Sequence, residues 1–273
     1  MLGLSLFLGA VRAVIDDLPA ALRLSLVPSL AVGAAAGALE AAYGDLGGLA
    51  QGAAPDPDAP AGAGIAVPPG LLAGVLLVLA ANLVAISWVA VGWHRFRLLG
   101  EAPRGWVPRF DGGLVLGYLG RSVLLGLAVG LIALGAGTVV AVLLLPLLGP
   151  GAQVVVLGAM ALVGMVLFYR LGVILPAGAV GRPMGFGEAM RTTAGHSRTA
   201  VVLSLLSLAL AALMELPPLL DAAPAGGADG ARLGVVGFAY GMVTQWVALL
   251  VGASTLTAFY AHVTGSRTAG PRP

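Results

Sequence analysis

The fold is decided by residues 122–169, SVLLGLAVGLIALGAGTVVAVLLLPLLGPGAQVVVLGAMALVGMVLFY, a run of 48 residues without an acidic, basic or histidine side chain. About 20 consecutive apolar residues can span the hydrocarbon core of a bilayer as a helix. The run is therefore long enough for two spans. Its Gly149-Pro150-Gly151 sequence supplies a break between them, because glycine and proline do not readily continue a helix. This stretch predicts a helical hairpin in a membrane.

The composition of the whole chain favours the same class. Of the 273 residues, 59% are hydrophobic and 10% are charged, and the mean hydropathy is +1.01. Soluble domains have roughly 25% charged residues, so the composition argues strongly against a water-soluble fold. The chain has no cysteine, which excludes disulfides and thiolate metal sites. All basic residues are arginine, which together with abundant glycine and alanine suggests a GC-rich bacterial genome.

Charge-free stretches and helix breakers predict six membrane spans. Pro217 and Pro218 are expected to end the fifth span. We predict an all-α, polytopic integral membrane protein whose six transmembrane helices form three hairpins. One domain covers residues 1–265, a cytoplasmic tail covers residues 266–273, and the amino-terminal segment is expected to be retained because it lacks the features of a signal peptide. The predicted spans are residues 22–42, 70–93, 122–147, 151–174, 199–216 and 233–261.

The distribution of arginine predicts the orientation. With both termini in the cytoplasm, thirteen arginines lie on the cytoplasmic side and only Arg232 lies outside. Cytoplasmic loops of inner-membrane proteins carry an excess of basic residues. The expected location is therefore the bacterial inner membrane with cytoplasmic amino and carboxyl termini. Residues 110–121 and 186–198 are expected to form short interfacial helices on that side.

The cytoplasmic segments at residues 92–106 and 169–190 are expected to pack together as one platform. Trp93 and Trp106 are interpreted as interfacial anchors, with the surplus arginines facing anionic lipid headgroups. Arg170 emerges from a long apolar span, so we expect it to pair with Glu101, Asp111 or Glu188, or to anchor a ligand. The predicted structural and interfacial cluster comprises Trp93, His94, Arg95, Glu101, Arg170, Pro176, Arg182, Glu188 and Arg191.

The neutral polar residues near the middle of the predicted spans include Asn82, Thr244 and Gln245, together with Thr138. In lipid such groups hydrogen-bond between helices, or they line a path through the membrane. Asn82 and Gln245 are expected at similar depth. Two pairs of small residues, Gly126 with Gly130 and Gly237 with Gly241, are expected to allow close helix packing.

Several cytoplasmic motifs resemble those of a known family. They are Trp93-His94-Arg95-Phe96 with Leu99-Gly100-Glu101, and Arg170 followed by Leu175-Pro176-Ala177, Gly181-Arg182-Pro183-Met184, Glu188-Ala189, Arg191-Thr192-Thr193 and Gly195. The chain resembles an uncharacterised bacterial family of six-helix inner-membrane proteins. That family is similar to the membrane domain fused to some glycerophosphodiester phosphodiesterases. Met190 stands where the family pattern has tryptophan. The phosphodiesterase domain is not expected in this chain, so the resemblance implies a fold and no activity.

No motif for catalysis, a metal or a cofactor is found. His94, His196 and His262 have no partner at the spacing of metal ligands. We therefore expect a non-catalytic membrane protein that acts as a scaffold or accessory through packing with lipid or with other membrane subunits, and no nucleic-acid partner. The alternatives are a transporter or channel for a neutral or anionic solute, and an enzyme assembled from the ionisable cytoplasmic residues.

Single cysteines test the topology, because the natural chain has none. A cysteine at Ala54 should react with a membrane-impermeant thiol reagent only from outside sealed cells. A cysteine at Ala102 should react only after the cytoplasmic face is opened. Reaction of the Ala54 variant exclusively from the cytoplasmic side would reverse the orientation.

Overall fold

A computed structural model describes residues 2–44, 68–220 and 228–266. Within these ranges the chain is helical, and six helices are long and apolar enough to cross a membrane. The predicted helical class is thus confirmed, and the number of helices that could span a membrane equals the number of predicted spans. The described residues leave out most of the predicted connection between the first and second spans (residues 44–69). They also leave out residues 221–227, between the fifth and sixth spans, and residues 267–273 of the predicted tail.

Nine α-helices and two 3-10 turns make up the described part of the chain. The fourth candidate span, Ala152–Ala179, runs through two of these α-helices, and the fifth, Ala194–Glu215, begins with the 3-10 turn Ala194–His196. The other 3-10 turn, Gly149–Gly151, forms the expected break between the third and fourth candidate spans. The α-helices are α1 (Leu2–Asp16), α2 (Leu18–Tyr43), α3 (Leu71–Leu99), α4 (Gly112–Leu148), α5 (Ala152–Gly172), α6 (Ile174–Ala179), α7 (Phe186–Thr192), α8 (Ser197–Leu220) and α9 (Ala228–Thr264).

Two helices extend well beyond their predicted spans at the arginine-rich end. Helix α3 continues past Trp93 to Leu99 and ends where Gly100 adopts a φ of 70°. Helix α4 begins at Gly112, because Asp111 caps it by accepting a hydrogen bond from the Leu114 amide at 3.2 Å. Residues 112–121 therefore belong to α4 and do not form a separate interfacial helix. Arginine has a high helix propensity, so the arginines at these positions do not end the helices.

The prolines near the end of α8 do not terminate it as predicted. The helix continues through Pro217 and Pro218 to Leu220. Each proline removes a backbone hydrogen bond, but neighbouring groups can compensate for this loss in membrane helices. Proline is thus a weaker stop signal here than in a soluble helix.

The core lies at the arginine-rich end of the bundle. Residues 171–179, which run from α5 into α6, are all buried, and so are most of residues 250–261 in α9. Helix α9 contacts α1, α2, α3, α5, α6 and α8. Towards the opposite end, large apolar side chains remain exposed, for example Leu131 at 69% and Leu147 at 77%. The helices are therefore tightly packed at one end and more open at the other.

The close glycine contacts differ from those expected. Added Cβ atoms at Gly126, Gly130, Gly237 and Gly241 would meet nothing within 4 Å, so the predicted close packing at these pairs is wrong. Close approaches occur elsewhere: Gly33 lies against Met242, Gly74 against Leu39 and Gly137 against Met160. Glycine spacing alone does not say which helix face meets a neighbour.

Gly137 provides a test of the α4–α5 contact. In Gly137→Val the new side chain would occupy the place of Met160, and such overpacking typically lowers stability by about 1–3 kcal/mol. The matched control is Gly135→Val, two residues away, where a Cβ would meet nothing within 4 Å. Thermal unfolding in detergent should give a lower midpoint for the Gly137 variant only. Equal midpoints for the two variants would contradict this packing.

Candidate functional site

A buried polar network joins α3 to α9 at the arginine-rich end. Trp93 and His94 are both fully buried. The Trp93 indole N–H donates to Ser254 Oγ at 2.7 Å, and His94 Nδ1 lies 2.7 Å from Thr257 Oγ1. The prediction of Trp93 as an interfacial anchor is therefore wrong, because hydroxyl partners on α9 hold it inside the bundle. Trp106, by contrast, is 55% exposed.

The hydrogen-bond partners of His94 determine which of its nitrogens carries the proton. Thr257 Oγ1 donates its only hydrogen to the Ala253 carbonyl at 2.6 Å, so it can only accept from the ring. His94 Nδ1 must therefore carry the proton. The other nitrogen, Nε2, then accepts from the Tyr118 hydroxyl at 3.2 Å. One neutral imidazole thus connects α3, α4 and α9.

The same arrangement recurs between other helices. Trp246 on α9 donates to Ser25 Oγ on α2 at 2.6 Å, and Ser25 donates to the Ala21 carbonyl. The hydroxyls of Tyr169 and Ser207 join α5 to α8 at 2.6 Å. In each case a large aromatic side chain pairs with a small hydroxyl residue. The sequence does not single out these hydroxyl residues, because serine and threonine also commonly bond to their own helix.

Arginines connect residues 92–106 to neighbouring helices at the arginine-rich end of the bundle. Arg95 forms a bidentate ion pair with Glu101, in which Nε lies 2.8 Å from Oε2. Its guanidinium also donates to the Ala179 carbonyl at 3.1 Å. This carbonyl bond joins residues 92–106 to the segment containing Pro176, which is buried in α6. Arg97 on α3 forms an ion pair with Asp17, the residue that connects α1 to α2.

Arg170 does not form the expected ion pair. Its guanidinium donates to the Met190 carbonyl at 3.5 Å, while Nε is buried without a partner among the described residues. Glu101 pairs with Arg95, and Asp111 caps α4. Thr193 adds a hydrogen bond to the Arg170 carbonyl at 3.3 Å. Contacts with backbone carbonyls thus link α5 to α7. The remaining predicted cluster residues, Arg182, Glu188 and Arg191, are exposed.

A cavity of about 710 Å³ opens beside the loop that connects α3 to α4. Its lining includes Arg95, Arg104, Arg109, Glu101 and Asp111. Both acids have partners within the protein, as described above. Within the described ranges, Arg104 and Arg109 have no carboxylate within ion-pair distance. This surface, which we call the arginine cavity, therefore has an excess of positive charge.

A second cavity, of about 820 Å³, lies between α2, α3 and α9 in their membrane-spanning parts. Asn82 and Gln245 both line this cavity, which we call the lateral groove. Thr244 does not line it, and its hydroxyl donates to the Tyr240 carbonyl of its own helix at 3.0 Å. Of the polar residues predicted near mid-span, Asn82 and Gln245 therefore line the same cavity.

The ionisable residues considered for catalysis have separate local environments. His94 belongs to the buried network, while the His196 ring packs against His262 with ring centroids 5.2 Å apart. Nowhere in the described ranges do three or more histidine, aspartate and glutamate residues form a group suited to a metal ion. The most prominent candidate sites are therefore the arginine cavity and the lateral groove.

Thr257 tests the hydrogen-bond network. Thr257→Val keeps the shape of the side chain but leaves the buried His94 N–H without an acceptor, which should destabilise the fold by about 1–3 kcal/mol. Thr257→Ser keeps the hydroxyl, so its unfolding midpoint should lie much closer to that of the natural protein. Unfolding midpoints in detergent measure both variants. If serine and valine prove equally destabilising, the hydroxyl is not the stabilising group.

Comparison with protein-family models, curated proteins and solved structures found no match for this chain. The basis for a functional proposal is therefore the geometry of the arginine cavity, the lateral groove and the helix packing.

Proposed function

We propose that this protein is a non-catalytic integral protein of the bacterial inner membrane, acting through packing with lipid or with other membrane subunits. Anionic phospholipid headgroups occupy its arginine cavity. Both termini lie in the cytoplasm, and the six spans form three hairpins with α1 and α7 near the cytoplasmic interface. The relationship to the family of six-helix inner-membrane proteins is part of this proposal.

The charge of the arginine cavity is the observation that carries the proposal. Glu101 is engaged by Arg95, and Asp111 by the start of α4. Arg104 and Arg109 are exposed on the same loop and line the same cavity. Guanidinium groups bind phosphate oxygens through paired N–H donors. A basic residue near an anionic membrane surface contributes roughly 1 kcal/mol.

Contacts between consecutive spans support the hairpin arrangement. Along α2 and α3, Leu24 lies near Gly92 while Leu39 lies near Gly74, which makes the two helices antiparallel. Between α8 and α9, the Tyr240 hydroxyl donates to the Met214 carbonyl at 2.6 Å. The exposed apolar side chains of α4 offer a surface for lipid or for another membrane subunit.

A transporter for a small solute is less well supported. Asn82 and Gln245 do share a cavity, as a solute path through the membrane would require. Most of its other lining residues are apolar, including Val75, Leu79 and Leu249. A hydrated solute needs polar groups along its whole path, which this lining does not supply.

Removing the two arginines tests the proposal. Natural protein in nanodiscs of mixed phosphatidylglycerol and phosphatidylcholine should retain phosphatidylglycerol on extraction, as measured by native mass spectrometry. In Arg104→Gln with Arg109→Gln, loss of two charge-assisted hydrogen-bonded contacts to the headgroup phosphate, of roughly 1.5 kcal/mol each, should weaken this retention on the order of a hundredfold.

The control is Arg12→Gln with Arg198→Gln, which removes the same charge from exposed positions outside the arginine cavity. It should retain phosphatidylglycerol nearly as well as the natural protein. An equal loss in both double variants would point to net charge alone and would contradict a headgroup site.

A further inference from the structure

We infer that the lateral groove binds a neutral lipid, one with a long hydrocarbon body and a hydroxyl group that hydrogen-bonds to Asn82 and Gln245. This site is distinct from the arginine cavity and does not depend on the function proposed for it. The inference rests on the shape of the groove, the chemistry of its lining and the position of the two amides.

The lateral groove has the size of a ligand site. Its volume of about 820 Å³ lies within the range of roughly 300–1,000 Å³ found for small-molecule sites. Three helices contribute successive turns of one face, for example Val75, Leu79 and Asn82 on α3. Val75 is 41% exposed and Leu79 is 50% exposed. Since both residues lie within a candidate span, a lipid tail can reach the groove from the surrounding membrane.

The lining excludes a charged occupant at this depth. None of the lining residues is acidic or basic. A charged group would therefore find no counter-ion in the groove, and unpaired charge in a membrane interior is strongly unfavourable. The apolar majority instead suits a hydrocarbon chain. The lining consists of Ser29, Val32, Gly33, Ala36, Leu39, Leu71, Val75, Val78, Leu79, Asn82, Ala85, Ile86, Gly241, Met242, Gln245, Trp246 and Leu249.

Two amides give the lateral groove its polar specificity. Asn82 is half-buried and lies eleven residues into α3, about 16 Å from its start at 1.5 Å per residue. This places it near the middle of a bilayer roughly 30 Å thick. Within the described ranges, neither Asn82 nor Gln245 has a side-chain hydrogen bond, in contrast to the nearby indole of Trp246. Unsatisfied polar groups in hydrocarbon are costly, so these amides favour a ligand that brings its own polar group.

A hydroxyl group matches what the amides offer. Each amide has a carbonyl acceptor and N–H donors. A hydroxyl can donate to one amide and accept from the other, thereby using both residues at once. A plain alkyl chain would fill the groove but leave the amides unsatisfied. The groove should therefore bind a long-chain alcohol in preference to an alkane of equal length.

Photolabelling of the full-length protein in nanodiscs tests this preference. Two probes carry the same photoreactive long chain, one ending in a hydroxyl and the other in a methyl group. The alcohol should label peptides around Asn82 and Gln245 about tenfold more strongly, as expected for two hydrogen bonds of modest strength in a membrane. Equal labelling by the two probes would overturn the inference.

Matched variants assign the effect to the lateral groove. Asn82→Leu with Gln245→Leu keeps the groove apolar and should abolish the preference for the alcohol while preserving labelling by the alkane. Val75→Trp should fill the groove and reduce labelling by both probes. Leu76→Trp is its control, because Leu76 is 54% exposed but does not line the groove.

Two outcomes with these variants would count against the site. One is a persistent preference for the alcohol after both amides are replaced. The other is an equal loss of labelling in the Val75 and Leu76 variants. Retention of phosphatidylglycerol should be unchanged in all of these proteins, so failure of this site is distinguishable from failure of the arginine cavity.

Discussion

Buried aromatic N–H groups impose the main constraint on helix packing. Trp93 and His94 are fully enclosed, so their donors must find acceptors within the protein. Ser254 and Thr257 provide these acceptors and lie three residues apart on one face of α9. The two bonds fix the rotation of α9 relative to α3, and the Tyr118 bond adds α4 to the same arrangement.

The packing around this network is uneven along the helices. The buried core that contains Trp93 also includes Tyr169, Leu203 and Phe259, contributed by three different helices. Farther from the network, the lateral groove lies between α2, α3 and α9. The most polar interior and the most open apolar surface thus occupy different depths of the bundle. This separation allows stability and binding to rely on different residues.

The helical class and the number of spans follow directly from the sequence. Charge-free runs of about twenty residues and the Gly-Pro-Gly break at residues 149–151 depend only on local composition. Helix ends were less predictable, because Arg95 and Arg121 are compatible with a continuing helix. Pro217 was likewise an unreliable stop.

The sites were predictable only in part, because they depend on contacts between distant residues. Asn82 and Gln245 stand out in the sequence as polar residues within apolar spans, but their common groove requires the packing of three helices. Trp93 matched the composition of an interfacial belt. It is buried instead, because its hydrogen-bond acceptor Ser254 lies on α9, 161 residues away in the sequence. The expected Arg170 ion pair failed for a similar reason, since a backbone carbonyl of α7 lies nearer than any expected acid.

The distance along the chain between these partners has a consequence for biosynthesis. His94 is synthesised 163 residues before Thr257, which corresponds to roughly ten to thirty seconds at translation rates of about 5–20 residues per second. During that interval its ring has no access to the hydroxyl that later fixes its tautomer. The earlier helices can form one by one, but this network can close only when α9 has been synthesised. Any folding intermediate that lacks the second half of α9 must therefore leave the Trp93 and His94 donors without their acceptors.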